Sequence, residues 1–136
     1  MDRNTGIILG IITVLCLQGG CMSHHMPKGF EEEEVKNHAQ KVVRQLSRGD
    51  YDVVTAQFSA EMLGSLDTEE TKDTVMTFMD NLGPLEEIRS QLVAGGTNDT
   101  TGDYAIVVTR CSHARGKATF TICFDTGDKI CGLYMK

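Results

Sequence analysis

The hydrophobic pattern of this chain changes its period at Gly83-Pro84, and the change divides the sequence into a helical part and a strand part. Before this point, apolar residues recur every three or four positions, which is the spacing of one buried helix face. After it, apolar and polar residues alternate, which is typical of half-buried strands. The boundary is sharp because proline cannot continue a helix. Helices followed by strands predict an α+β fold in which the helices cover one face of an antiparallel sheet.

Three helices are expected before the proline. The first begins at Glu32 and ends at Gly49, a residue that suits a helix C-terminus. The second, shorter helix follows Asp50, which can cap it, and residues 59–66 are a turn or a short helical piece. The third begins with a capping-box-like pattern at Asp67. The apolar stripes of these helices are Val35, Ala39, Val42, Val43, Leu46, Tyr51, Val54, Phe58, Val75, Met76, Met79 and Leu82.

Four strands are expected after the proline. They cover residues 87–93, 104–111, 117–125 and 129–135. A loop rich in Gly, Thr and Asn separates the first two strands over residues 94–102. Tight turns at 114–116 and 126–128 join the others, so the sequence predicts a four-stranded antiparallel meander.

Several short motifs resemble those of the domain of unknown function 3887. They are Arg48-Gly49-Asp50-Tyr51-Asp52, Phe58-Ser59-Ala60-Glu61-Met62, Leu82-Gly83-Pro84-Leu85, and Phe124-Asp125 with Gly132-Leu133-Tyr134. The resemblance covers residues 33–136. It implies a nuclear-transport-factor-2-like (cystatin-like) cone, in which three helices pack into a strongly curved four-stranded sheet. It also implies a homodimer as a family-level expectation. The motifs are turns, caps and core positions, so they specify a fold rather than a chemistry.

The first 21 residues are built like a bacterial lipoprotein signal peptide. The apolar run over residues 7–17 follows Arg3 and is too short to span a bilayer, which takes roughly twenty residues. Its length fits the core of an export signal. The segment from Leu17 to Cys21 resembles a lipobox, although Gln18 stands where leucine is usual.

We therefore expect residues 1–20 to be removed as a signal peptide and Cys21 to be lipidated. Residues 21–31 would then be the lipidated cysteine and its tether, and residues 32–136 the cone domain. The protein would be extracytoplasmic and anchored to the cell membrane by its lipid. The alternatives are an ordinary secretory signal, which gives a secreted protein, and a short anchor that is not cleaved.

Net charge argues against nucleic acid as a partner. The chain carries a net charge of −6, and the mature chain keeps that charge because Asp2 and Arg3 cancel. Its Lys and Arg residues are scattered, whereas a nucleic-acid-binding domain needs a basic patch. The sequence also contains no P-loop, nucleophile elbow, zinc-protease helix or paired-cysteine zinc pattern. No cofactor or metal is therefore predicted.

Two cysteines of the last hairpin are candidates for a disulfide. Centring that hairpin on Gly127 places Cys123 opposite Cys131. Directly opposed residues have Cβ atoms about 4.5–5.5 Å apart, near the ~3.5–4.5 Å of a disulfide. Buried thiols are the alternative interpretation. A turn centred on Arg115 would put Cys111 on the same sheet face as Cys123.

Five residues are candidates for lining a pocket: Tyr51, Asp103, Tyr104, Arg110 and Tyr134. Asp103 and Tyr104 could supply the acid–base pair of a small proton-transfer enzyme. However, an aspartate beside a glycine is typical of a turn, and tyrosines at the ends of elements usually belong to the core. Arg110 could hold an anionic ligand or extend from a sheet edge into solvent.

The leading hypothesis is non-enzymatic binding of a small apolar ligand, a peptide or a partner protein by the cone. A small pocket enzyme and a pure dimerisation or interaction module are the alternatives. The interior of the cone discriminates between them. If Phe120, Ile122 and Phe124 fill it together with the helix stripes, only the interaction module remains.

Overall fold

The computed structural model describes residues 7–10, 30–66, 68–98 and 102–136, which form an α+β fold. The helices are α1 (Glu32–Ser47), α2 (Tyr51–Thr55), α3 (Ala60–Leu66) and α4 (Glu69–Leu82). The strands are β1 (Ile7–Gly10), β2 (Leu85–Asn98), β3 (Gly102–His113), β4 (Gly116–Asp125) and β5 (Ile130–Met135). Each strand is antiparallel to its neighbours in a sheet of order β1-β5-β4-β3-β2.

The predicted change from helices to strands at Gly83-Pro84 is confirmed, but two elements are longer than predicted. Residues 60–66 form a complete helix, so the described part of the chain has four helices rather than three. Strand β2 continues through the predicted loop to Asn98. Its two glycines remain paired with β3: Gly95 lies opposite Ala105, and Gly96 lies opposite Tyr104.

The sheet also has a fifth strand, β1, that the sequence did not predict. Residues 7–10 pair with β5, from Ile7 opposite Met135 to Gly10 opposite Gly132. This strand lies inside the apolar run that was assigned to the export signal. Cys21, the remainder of the signal and residues 21–29 lie outside the described residues.

The helix ends are defined by local geometry. Gly49 follows α1 with φ +83°, the left-handed backbone that glycine adopts without steric cost. Asp50 precedes α2 as expected, but its carboxylate pairs with Arg48 at 3.2 Å instead of capping the helix. Thr68 caps α4, since its hydroxyl accepts a hydrogen bond from the backbone N–H of Thr71 at 3.1 Å. The predicted cap, Asp67, lies outside the described residues.

The core lies between the helices and one face of the sheet, which we call the inner face. The predicted stripe of α1 is confirmed, because all five of its apolar residues are buried. The buried inner-face residues of β3 and β4 are Ala105, Val107, Cys111, Ala118, Phe120, Ile122 and Phe124. Phe120, Ile122 and Phe124 have no exposed surface and belong to the same cluster as the helix stripes. Side chains therefore fill the space between the helices and the sheet.

A small polar network holds α1 on the inner face. The Gln91 amide on β2 donates to the Lys36 carbonyl at 3.0 Å and to the Thr109 hydroxyl at 3.1 Å. The side-chain amide of Gln40 on α1 donates to the side-chain amide oxygen of Gln91 at 2.8 Å. Because Thr109 is completely buried, its hydroxyl needs such a partner, and the network fixes α1 against β2 and β3.

Candidate interaction site at the edge of the sheet

The five predicted pocket residues do not meet in one cavity. Tyr51 is buried in the core, whereas Tyr104 is buried in a separate cluster on the opposite, outer face of the sheet. Tyr134 packs half-buried against that outer cluster, and Arg110 is exposed. Asp103 is half-buried near the start of β3, opposite Thr97. The inner and outer groups lie on opposite faces of the sheet, so these residues do not form a shared acid–base centre.

The outer face carries a second apolar cluster. We call it the outer-face cluster; it consists of Tyr104, Ile106, Cys123 and Cys131, with Val108 and Tyr134 packed against it. Ile106 is 3% exposed, and Tyr104 and Cys123 are fully buried. Both faces of the sheet thus bury apolar residues, as expected when strands alternate between two packed surfaces.

The two outer-face cysteines are in contact, although their register differs from the prediction by one residue. Cys123 lies opposite Gly132, and the ladder shifts between Cys123 and Phe124. The Cys131 thiol donates to the Cys123 sulfur at 2.9 Å. The β4–β5 irregularity therefore places Cys131 beside Cys123 without direct opposition.

The prediction that Cys111 shares the face of Cys123 is wrong. The β3–β4 hairpin pairs His113 with Gly116, so Cys111 lies opposite Ala118 on the inner face. A slip of one residue in register moves every side chain of a strand to the other face. Burial raises the pKa of the Cys111 thiol from 9.0 to about 11, and the nearby Arg44 guanidinium opposes this rise.

The side of β5 that faces away from β4 is a candidate for binding another chain. Thr119 and Lys136 exchange both backbone hydrogen bonds, 2.9 and 3.0 Å long. Such pairs alternate along an antiparallel ladder, so Tyr134 also directs its N–H and C=O toward β4. Leu133 and Met135 direct theirs to the opposite side, where β1 pairs with them. This edge presents two donors and two acceptors, and we call it the β5 edge (residues 132–135).

The β5 edge ends where the helical half meets the sheet. Ile130 donates its backbone N–H to Gln57 at 2.7 Å, and Ser59 donates to the Ile130 carbonyl at 2.8 Å. Phe58 forms a parallel bridge with Ile130. These bonds occupy the start of β5 and leave a short edge, with room for about four residues of another strand.

Two surface depressions in the helical half have a different character. A groove of about 300 Å³ lies between the ends of α1 and α4, with Met76 and Met79 in its wall and Arg48 and Arg115 at its rim. Arg115 donates to main-chain carbonyls at the end of α4, and Arg48 pairs with a neighbouring carboxylate. A cavity of about 570 Å³ beside His38 is lined by polar and charged residues of α1 and by Asp128.

No cluster of three His, Cys, Asp or Glu side chains that could hold a metal occurs in residues 7–10, 30–66, 68–98 and 102–136. Within the same ranges, no helix combines the length and the apolar character that crossing a membrane requires.

The family comparison concerns most of this domain. A family described as "Protein of unknown function (DUF3887)" matches residues 39–133, from within α1 to within β5. The chain belongs to this family. The match confirms the family that the sequence motifs indicated, and it covers the C-terminal part of α1, the other three helices, the outer-face cysteines and part of the β5 edge.

One solved structure is similar to this DUF3887 chain: the NMR structure of a protein from Ruminococcus gnavus ATCC 29149. The TM-score is 0.71 at 21% sequence identity, and the match covers 84% of this chain and 98% of the other. The likeness shows a shared fold. The curated proteins contain no significant match.

The predicted meander places the last strand at one end of the sheet, but the pairing of that strand with residues 7–10 was not predicted. Which strand ends a sheet depends on pairing between distant segments, and the apolar run over residues 7–17 has no alternation that predicts a strand. The short, apolar last strand was a further signal of an end strand, since edge strands are often short.

Proposed function

We propose that this protein is a non-enzymatic, extracytoplasmic interaction module that binds an extended apolar segment of a partner protein along the β5 edge. One observation carries the proposal: β5 pairs with residues 7–10, which lie in the predicted export signal. If residues 1–20 are removed on export, the β5 edge loses this strand and can take another in its place.

The backbone groups of the β5 edge define how a partner binds. Leu133 and Met135 each offer one N–H and one C=O, which a bound strand satisfies by adding antiparallel to the sheet. Sheet edges that lack a partner tend to pair with other chains. A short edge limits the affinity, so the interaction suits a tethered protein that meets its partner at a membrane.

The chemistry of the partner segment follows from the strand that β5 accepts. Residues 7–10 read Ile-Ile-Leu-Gly, which are uncharged, with glycine opposite Gly132. The partner segment is therefore extended and apolar, with a small residue at that position. Strand addition of this kind draws its affinity from main-chain hydrogen bonds and its specificity from alternate side chains.

The filled core supports binding at the edge rather than inside a pocket. In our proposal the domain is a nuclear-transport-factor-2-like cone whose interior is occupied by Phe120, Ile122 and Phe124, all without exposed surface. A small ligand would have to displace these aromatic and aliphatic side chains. We therefore favour a protein segment over a small apolar ligand or an enzymatic substrate.

The membrane anchor is the second part of the proposal. A diacylated or triacylated Cys21 would hold the domain at the outer surface of the cell membrane, because more than one acyl chain gives stable anchoring. Mass spectrometry of detergent-extracted protein should find the lipid on Cys21. The Cys21→Ser variant should leave the membrane fraction, and an unlipidated wild-type protein would refute the anchor.

The β5 edge is tested with the processed protein and a synthetic peptide of residues 5–12 that carries terminal lysines for solubility. We expect it to bind in a titration followed by NMR. N-methylation at the positions of Ile7 and Leu9 removes the two N–H groups that face β5. At about 1 kcal/mol per hydrogen bond, this should weaken binding about thirtyfold.

The matched control is the same peptide N-methylated at Ile8, whose N–H points away from β5. It should bind almost as well as the unmodified peptide. Equal affinity of both N-methylated peptides, or absence of peptide binding, would refute the proposal. If the processed protein instead forms a dimer that blocks the same amides, the occupant of the edge is a second copy of the chain.

A further inference from the structure

We propose that Cys123 and Cys131 form an intramolecular disulfide across the β4–β5 hairpin of the exported protein. Their sulfurs lie 2.9 Å apart, and the Cys131 thiol donates to Cys123. A disulfide bond is about 2.05 Å long, so the sulfurs need to approach by less than about 1 Å. Both residues belong to the outer-face cluster and are almost completely buried.

The irregularity in the β4–β5 ladder determines how the two cysteines meet. Phe124 pairs with Ile130, but Cys123 pairs with Gly132, so Cys131 is an extra residue on β5. A bulge of this kind redirects a side chain at the cost of one ladder position. It places Cys131 next to the partner of Cys123, on the same face, where a regular strand would have placed Cys131 directly opposite.

The bond forms by thiol–disulfide exchange with a disulfide oxidant, either a small disulfide such as oxidised glutathione or a thiol oxidoreductase. One cysteine thiolate attacks the oxidant, a mixed disulfide forms, and the first oxidant sulfur leaves as a thiol. The second cysteine then attacks the mixed disulfide and releases the second oxidant sulfur. The two cysteine thiols lose two electrons and two protons, and the oxidant gains them.

The disulfide would join β5 covalently to β4. Strand β5 has six residues, and after loss of residues 1–20 it becomes the end of the sheet. A link at Cys131 keeps the β5 edge in place when β1 is absent. The inference requires an oxidising compartment, as expected for an exported protein, but it does not require that the edge binds a partner.

The test is intact-mass spectrometry of the exported protein, purified without reductant and denatured in the presence of iodoacetamide. Before reduction, Cys111 should be alkylated and Cys123 and Cys131 should not. Reduction should add the mass of two hydrogen atoms and make both cysteines alkylatable. Alkylation of all three cysteines before reduction, or a bond between two chains, would overturn the proposal.

Two variants test whether the bond joins Cys123 to Cys131 or involves Cys111. Cys131→Ser should abolish the mass change, whereas Cys111→Ser, on the inner face, should retain it. Reduction should lower the Tm of the wild-type protein by about 10 °C and leave the Tm of Cys131→Ser unchanged. A reduction-sensitive Tm that persists in Cys131→Ser would refute the assignment even if that variant folds poorly. Absence of the disulfide would not change the expected result of the peptide titration at the β5 edge. The two proposals can therefore be refuted independently.

Discussion

Tyr104 lies directly opposite Gly96 in the β2–β3 ladder, and its ring fills the space that a side chain at position 96 would need. A Cβ at Gly96 would lie 2.5 Å from the Tyr104 hydroxyl oxygen and 2.6 Å from the ring carbon that bears it. The ring covers the bare glycine backbone and is itself completely buried. This contact explains how a glycine pair continues a strand where a loop was predicted.

Gly96→Ala should therefore destabilise the protein. The added methyl group overlaps the Tyr104 ring, and moving that ring disturbs the outer-face cluster. We expect a loss of about 1–3 kcal/mol in the free energy of unfolding, measured by urea denaturation. Gly64→Ala is the control, because a Cβ there meets nothing within 4 Å in α3. It should stabilise the protein by up to about 1 kcal/mol, and equal stability of the two variants would refute this account of Gly96.

The Thr68 cap should contribute measurably to the stability of α4. Thr68→Ala leaves the N–H of Thr71 without its side-chain acceptor and should cost about 1 kcal/mol in thermal or urea unfolding. Thr77→Ala, at an exposed position within the same helix, is the matched control. It should be neutral or slightly stabilising because alanine has the higher helix propensity. A similar loss in both variants would mean that capping is not the cause.

The raised pKa of Cys111 predicts a loss of stability at high pH. Burial keeps this thiol protonated in the folded state up to a pKa of about 11, whereas in the unfolded chain it ionises near 9.0. The contribution of the protonated Cys111 thiol to the stability of the folded protein is complete below pH 9 and declines as the pH rises toward 11. The free energy of unfolding should fall by at most about 1.4 kcal/mol per pH unit in this window. The free energy of unfolding is measured at each pH under reducing conditions.

Cys111→Ala isolates this effect, because every other ionisable group is the same in both proteins. The difference in the free energy of unfolding between wild type and variant should shrink from pH 9 to pH 11. A constant difference across that range would show that the Cys111 thiol does not ionise differently in the two states.

The sequence predicted the parts of the fold that local patterns encode. Three features follow from helical spacing and from the backbone limits of glycine and proline: the stripe from Val35 to Leu46, the end of α1 before Gly49, and the switch at Gly83-Pro84. The face predicted for Cys111 was wrong because the turn has two residues instead of the predicted three. This difference shifts the register of the hairpin by one position. No local signal in the sequence resolves that difference.

The candidate site was less predictable because it depends on contacts between distant segments. Tyr51 and Tyr104 were expected in one pocket, yet they lie on opposite faces of the sheet. Cys123 and Cys131 were expected directly opposite each other, and their sulfurs are in contact, but an irregularity that strict alternation does not predict places Gly132 opposite Cys123. The strand that occupies the β5 edge was not predictable, because β1 lies more than a hundred residues earlier in the sequence than the strand with which it pairs.

Hydrogen exchange at the amides of Leu133 and Met135 tests the proposed edge most directly. Both amides should be protected in the full-length chain produced without export, where β1 is retained. In the processed protein they should exchange at least about tenfold faster and regain protection when the peptide of residues 5–12 is added. The amide of Tyr134, which faces β4, should stay protected in all three samples. Leu133 and Met135 amides that exchange at the same rate in all three samples would contradict the account.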